Sequence, residues 1–338
     1  MGCGFQQNKE KLKLNFIESK SFNFEYQLPI INDYLIKLMV DSAGVPFVLY
    51  VQKNDSILVK RNLVTDSIEP IFKYNLMPTP LLSSFQWKHD TLVSFYDNQI
   101  LNIRSKDYSK DIVLHLDSSR FYKDYGCFPI DYTHNSVFIQ YGLSNNTTFI
   151  DSFSDMVFIL NSDYSINSVK EIAPFPDYYK IHGVQYYRNS IRTISSDFVY
   201  YNFEKSDDVI WYAFDNWDSW KGKTQLFTDL KRSEEELYDE SKGRDFVYLK
   251  KYEETTELNI PTYQEQSQDV AYFIKRLAKK KQTDANKYVL GKVKNQTYIG
   301  YVYLPEDFND VIHYFVNNHL YYISTQEVVW KHYEIQEL

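Results

Sequence analysis

Short apolar runs separated by polar turns recur along nearly the whole chain, and no other property of the sequence constrains its fold as strongly. "VPFVLYVQ" (Val45–Gln52) is followed by the turn Lys53-Asn54-Asp55, by "SILVKRNL" (Ser56–Leu63) and then by "SIEPIFKYNL". The same pattern returns over Thr91–Leu116, Asp155–Ile172, Asp197–Asp215, Thr297–Phe315 and His319–Ile335. Each unit reads as a strand, a polar turn, a second strand, an Asp/Asn-Tyr/Phe turn and a third strand. The last turn appears at Asp107-Tyr108, Asp163-Tyr164 and Asp307-Phe308. A period of about 45–56 residues, built of antiparallel strands, is the signature of β-propeller blades. One blade cannot bury both its faces; neighbouring blades cover each other and leave only short edges.

Composition agrees. The 31 Tyr and 23 Phe suit pleated surfaces, and the chain has only 10 Gly and 10 Pro. The expected fold class is all-β, a six-bladed β-propeller with seven blades as the alternative and with short helical insertions. The expected organisation is a tether over residues 1–13 and a single propeller domain over 14–338. "LKLNFIESKSFNFEYQL" (Leu12–Leu28) reads as an outer strand that pairs with the last blade and joins the two chain ends. Two segments read as helical. "SEEELYDESK" carries the capping-box spacing Ser233 to Glu236. "SQDVAYFIKRLAKKKQ" places Val270, Phe273, Ile274, Leu277 and Ala278 at helical period, with Lys279-Lys280-Lys281 at its end. The expected helices cover about 233–241 and 268–281.

Met1-Gly2-Cys3-Gly4 has three readings. Cys3 is the lipid-bearing first residue of a mature bacterial lipoprotein, a small residue preceding the cysteine at the cleavage point. Alternatively Gly2 is myristoylated, although Gln6 stands where Ser or Thr is wanted. Or the cysteine is incidental. The first is the reading carried forward. Cys127 is the only other cysteine, so no disulfide is expected. No apolar stretch is long enough for a membrane-spanning helix.

The Gly2-Cys3 start, the blade pattern and "FPDYYKIHGVQYYRNSIRTISSDFVYYNFEKSDDVIWYAFD" (Phe175–Asp215) resemble the uncharacterised Bacteroidetes-type lipoproteins that fold as six-bladed β-propellers. The likeness covers nearly the whole chain after about residue 20, and no single motif in it is diagnostic. It implies an exported protein anchored at the bacterial cell envelope, periplasmic or on the cell surface. It implies no activity, because that family has no assigned chemistry to carry over. O-glycosylation in that group falls at Asp-Ser/Thr before a small or aliphatic residue. This chain has Asp41-Ser42-Ala43, Asp55-Ser56-Ile57, Asp66-Ser67-Ile68 and Asp90-Thr91-Leu92.

Catalytic motifs are missing. The seven histidines form no zinc-binding spacing, and His313 and His319 are a weak pair in an expected hairpin. There is no Gly-x-Ser-x-Gly elbow and no glycine-rich phosphate loop. Propeller glycosidases use carboxylates, here Asp151, Asp155, Asp207, Asp208, Asp215 or Asp218, but the sequence fixes no separation between them. A formal charge of −8 argues against nucleic acid as a partner. Neither a cofactor nor a metal is expected.

"IWYAFDNWDSWKGK" (Ile210–Lys223) holds three of the five tryptophans. Trp211 reads as a strand residue in the core; Trp217 and Trp220 read as turn residues beside Asp215 and Asp218. Exposed indoles stack on sugars or anchor protein partners, while carboxylates take hydroxyls; the alternative is that all three pack between blades. "FPDYYKIHGVQYYRNS" adds Tyr186, Tyr187 and Arg188, with Tyr178, Tyr179 and Arg192, as candidate lining of one propeller face. The expected function is a non-catalytic, envelope-anchored binding propeller for a glycan, a peptide or an envelope protein. The alternatives are a scaffold subunit of an envelope complex and a carboxylate-dependent glycosidase or lyase.

Overall fold

The computed structural model describes residues 11–21, 36–52, 57–73, 82–88, 90–96, 100–107, 109–115, 130–140, 153–175, 190–203, 208–223, 258–260, 262, 264–265, 269–277, 284–308, 312–324 and 329–338. All regular structure among them is β, in six small sheets: the fold is a six-bladed β-propeller. The chain divides into two compact units, residues 22–175 and residues 1–21 with 176–338.

The chain opens on β1 (Leu12–Ser21), which belongs to the last blade. The first unit then builds three blades. Blade 1 is β2 (Ile36–Val40), β3 (Pro46–Gln52), β4 (Ile57–Asn62) and β5 (Ile68–Lys73). Blade 2 is β6 (Leu82–Lys88), β7 (Thr91–Tyr96), β8 (Ile100–Ser105) and β9 (Asp111–His115). Blade 3 is β10 (Ile130–Thr133), β11 (Ser136–Gln140), β12 (Phe153–Leu160) and β13 (Ile166–Pro174). In each, consecutive strands pair antiparallel. Second and third strands are buried and fourth strands exposed, because blades cover one another along their middles and leave one edge to solvent. Val93, Phe95, Leu101 and Ile103 of blade 2 pack on Val137, Ile139, Met156 and Phe158 of blade 3.

The second unit builds the other three. Blade 4 is β14 (Ser190–Ile194), β15 (Phe198–Phe203), β16 (Asp208–Ala213) and β17 (Ser219–Lys223). Blade 5 takes β18 (Leu258–Ile260), skips β19 (Gln264–Glu265), and continues with β20 (Val270–Arg276), β21 (Tyr288–Lys294) and β22 (Thr297–Tyr303). Blade 6 joins β23 (Ile312–Val316), β24 (His319–Ser324) and β25 (Val329–Glu337) to β1. β19 pairs parallel with β23 and adds a fifth strand to that sheet. The N-terminal strand therefore pairs with the last strand, as the sequence indicates. It runs antiparallel to β25 from Leu12 opposite Glu337 to Ser21 opposite Val329. A bulge at Ile17 interrupts the register, a device that blunts an exposed edge.

One expectation is overturned here. Residues 270–276 are the strand β20, not a helix. Val270, Tyr272 and Ile274 face blade 6 among Phe315, Leu320 and Tyr322. Ala271 and Phe273 face blade 4 beside Tyr200 and Val209. Because the strand is buried on both faces, its run Val270–Ile274 is apolar at every position and satisfies a helical template by chance. The helix expected at 233–241 lies outside the described residues. The Asp307-Phe308 turn also differs from the other two. Asp107 and Asp163 sit in hairpins between third and fourth strands, whereas Asp307 lies in the connection from blade 5 to blade 6.

A buried cation ties blades 5 and 6 together. Lys292 is almost fully buried, with its Nζ 2.7 Å from Glu337 Oε1 and 3.0 Å from Asn318 Oδ1. The Lys292 ammonium, hydrogen-bonded to Glu337, holds that carboxyl below its usual 4.5. A depressed folded-state pKa contributes stability above the unfolded value and loses it as pH falls through the folded one. Glu337→Gln should therefore cost about 1–2 kcal/mol at pH 7, less than a fully buried pair because Glu337 is partly exposed. The difference from wild type should shrink on acidification below about pH 4.5 in denaturant titrations.

Candidate functional site

The tryptophan-rich stretch forms the exposed part of blade 4. Its β16–β17 turn repeats a pattern seen in blade 1. Trp217 N donates to Ala213 O at 2.9 Å, as Asp66 N donates to Asn62 O at 2.9 Å. Both residues adopt a left-handed φ of 61°. Asp tolerates that conformation better than a bulky residue, for which it costs about 1–2 kcal/mol. Trp217 is partly exposed there, and its ring meets Phe214 edge-on at 6.1 Å. Asn216 Oδ1 accepts the Asp218 amide at 2.8 Å, while Asp215 and Asp218 are exposed.

Trp220 is on β17 rather than in the turn, and 41% of its surface is exposed. It stands opposite Trp211. Trp211 lies over Gly222 so closely that a Cβ there would meet its ring at 2.7 Å. Trp211 thus folds down onto the sheet and packs against the core formed by Tyr200, Val209 and Phe273. The Trp220 ring meets Phe198 edge-on at 6.1 Å, and Phe198 continues to Tyr200 at 6.2 Å. Of the three indoles, one is packed, one half-buried and one presented.

The neighbouring turns bring carboxylates to the same end of blades 4 and 5. Phe214 N donates to Asp197 O at 3.0 Å, so the β14–β15 and β16–β17 turns lie side by side. Asp269, at the start of β20, accepts the Tyr200 hydroxyl and, at 3.4 Å, that of Ser195. Burial pushes the Asp269 carboxyl above its usual range, with Asp197 adding to the shift. Burial, and then the bond to Asp269, raises the Tyr200 phenol too.

Tyr200 and Asp269 are half of a repeated device that no sequence motif marks. Tyr272, at the same position of its strand one blade on, donates to Asn318 Oδ1 at 2.6 Å. Asp269 and Asn318 each stand just before a second strand, as do Asp90, Asn135 and Asp197. Asp90, Asn135 and Asn318 have positive φ, which explains the residue type at those hairpins. The signal in the sequence is an Asp or Asn before the second strand of blades 2 to 6, where blade 1 has Val45, joined in blades 4 and 5 by a Tyr as the third residue of that strand.

The remaining candidates separate. β14 begins at the end of its sheet opposite the β16–β17 turn, since its strands alternate in direction. Tyr186, Tyr187 and Arg188, like Tyr178, Tyr179 and Cys3, lie outside the described residues; Arg192 is buried on β14. Among the glycosidase candidates, Asp155 is buried in β12 of the other unit, and Asp151 and Asp207 lie outside the described residues. Only Asp215 and Asp218 share a turn. His319 Nδ1 and His332 Nε2 lie 3.0 Å apart, and burial followed by His319 lowers the His332 pKa. Among the described residues, no three His, Cys, Asp or Glu side chains are grouped to hold a metal ion. Of the Asp-Ser/Thr sites, Ser42 and Ser67 are exposed in turns, whereas Thr91 is buried and hydrogen-bonded to Tyr164 at 2.7 Å.

No protein-family model matches the sequence, and no curated protein matches it. The fold is nevertheless that of a solved structure, a member of the DUF4221 family from Bacteroides vulgatus. The TM-score is 0.68 at 11% identity, over 98% of this chain and 100% of that one. At that identity the likeness is one of fold. A weaker likeness is to BamB from Moraxella catarrhalis, with a TM-score of 0.41 and 8% identity over 95% of this chain and 98% of that one.

Proposed function

We propose that the protein is a non-catalytic binding propeller, held at a bacterial envelope membrane through Cys3, that takes a partner on the Trp220 edge of blade 4. The observation that carries this reading is the rigid presentation of Trp220. The indole is exposed while its neighbour Trp211 is folded onto Gly222, and Phe198 supports it edge-on. An aromatic anchor on a fixed strand gives large contact area at little conformational cost. Trp217 holds a strained left-handed φ in the turn position that Asp66 fills in blade 1, which agrees with a role beyond packing. Among glycan, peptide and envelope-protein ligands, a protein segment is favoured by the edge strand, since among the described residues β17 ends its sheet beside the indole.

The test is photo-crosslinking in cells of the native source. A benzophenone side chain replacing Ser196, in the turn beside Asp197, should yield a protein adduct. The same group replacing Ser67 on blade 1 should not. Equal adduct at both sites, or none at Ser196, rejects the surface. The anchoring is separate: labelled fatty acid should enter the leader-bearing gene product and be lost in Cys3→Ala.

A further inference from the structure

We infer that the Trp220 edge recognises a cationic peptide segment, one presenting Lys or Arg side chains; this rests on the binding surface proposed above and names its ligand chemistry. The exposed indole lies at the end of blade 4 whose turns carry exposed carboxylates. Asp215 and Asp218 are exposed in the turn that leads into β17. Asp197 is exposed in the adjoining turn, hydrogen-bonded through its backbone to Phe214 and next in sequence to Phe198, whose ring meets Trp220 at 6.1 Å. Asp269 lies behind them, reached from Phe198 through Tyr200.

Among the described residues, the turns that carry this group hold no cation. Residues 195–197, 214–218 and 295–296, the three hairpin turns at this end of blades 4 and 5, contain no Lys or Arg. Lys221 follows on β17, but strand alternation places it on the face opposite Trp220 and Gly222. An ammonium or guanidinium over the face of Trp is attracted by the ring quadrupole, and neighbouring carboxylates add a second attraction of the same sign. A neutral sugar would use the indole and leave the neighbouring carboxylates unanswered. An acidic segment would be repelled by them.

The experiment titrates the purified full chain with three probes and follows binding by calorimetry. One is a flexible peptide of alternating Gly and Arg, one has Glu in place of every Arg, and one is a neutral cello-oligosaccharide. The basic peptide should bind, and raising salt from about 20 mM to about 300 mM should weaken it about tenfold. Trp220→Ala should weaken it about tenfold, and the isosteric double variant Asp215→Asn, Asp218→Asn should weaken it severalfold. Melting curves of both variants confirm that they are folded. Equal binding of basic and acidic peptides overturns the inference, as does sugar binding lost in Trp220→Ala. So does failure of the basic peptide to bind. If the Ser196 adduct persists under any of these outcomes, the binding surface stands and only its cationic selectivity falls.

Discussion

Deletion of residues 1–21 is expected to cost more than about 4 kcal/mol, and the shortened chain should self-associate. The deletion removes all of β1 and leaves β25 with an open edge over Val329–Glu337. It also removes Leu12, a buried member of the core formed by blades 5 and 6. Gly300 shows how closely the N-terminal strand is seated: a Cβ there would lie 2.6 Å from Lys11 Cβ. Calorimetry and light scattering check the result together. A shortened chain that melts cooperatively at the wild-type temperature and stays monomeric would contradict closure by β1.

The second large effect is at Tyr272. Its ring is fully buried, stacked on Phe315 with centroids 5.0 Å apart, and Lys292 Nζ lies 5.7 Å from its centroid. Its hydroxyl donates to Asn318 Oδ1 at 2.6 Å. Tyr272→Ala removes the ring from the middle of the blade 5–blade 6 core and should cost about 3–5 kcal/mol. Tyr272→Phe keeps the ring and loses only the hydrogen bond, which should cost about 1 kcal/mol. Urea denaturation of the two variants separates packing from the polar clasp. A Phe variant as damaged as the Ala variant would show that the hydroxyl, not the ring, holds this seam.

The architecture was legible because each blade repeats the same alternation, and because the N-terminal strand carries the same syllables as the blades it completes. Leu12 and Leu14 of β1 both pack on the blade 5–blade 6 core, with Leu12 buried and Leu14 half-buried. The helix read at 268–281 failed for a physical reason. Strand β20 is covered on both sides, so the polar half of its alternation is missing and periodicity loses its meaning. Asp307-Phe308 misled in another way. Phe308 is buried against Tyr288 and Tyr322, and Asp307 accepts hydrogen bonds from the hydroxyl of Tyr322 and from Lys331. The dipeptide repeats a turn's composition in a position that is not that turn.

The candidate site was half legible. Three tryptophans in one short stretch marked it, but Trp211 and Trp220 are cross-strand partners on one face, and only the room Gly222 leaves for Trp211 separates the packed from the presented indole. Asp197 and Asp269 were not legible as part of it. They come from hairpins far apart in the sequence, and only the stacking of blade 5 on blade 4 brings them to the same end.

The most direct test of the binding surface is the protein adduct at position 196 in the Trp220→Ala background. Because Trp220 is exposed, the substitution should leave stability within about half a kcal/mol of wild type. The adduct should be lost while the melting temperature is unchanged. An adduct of undiminished yield, or its loss accompanied by a core-sized destabilisation of about 3 kcal/mol, would contradict recognition through Trp220.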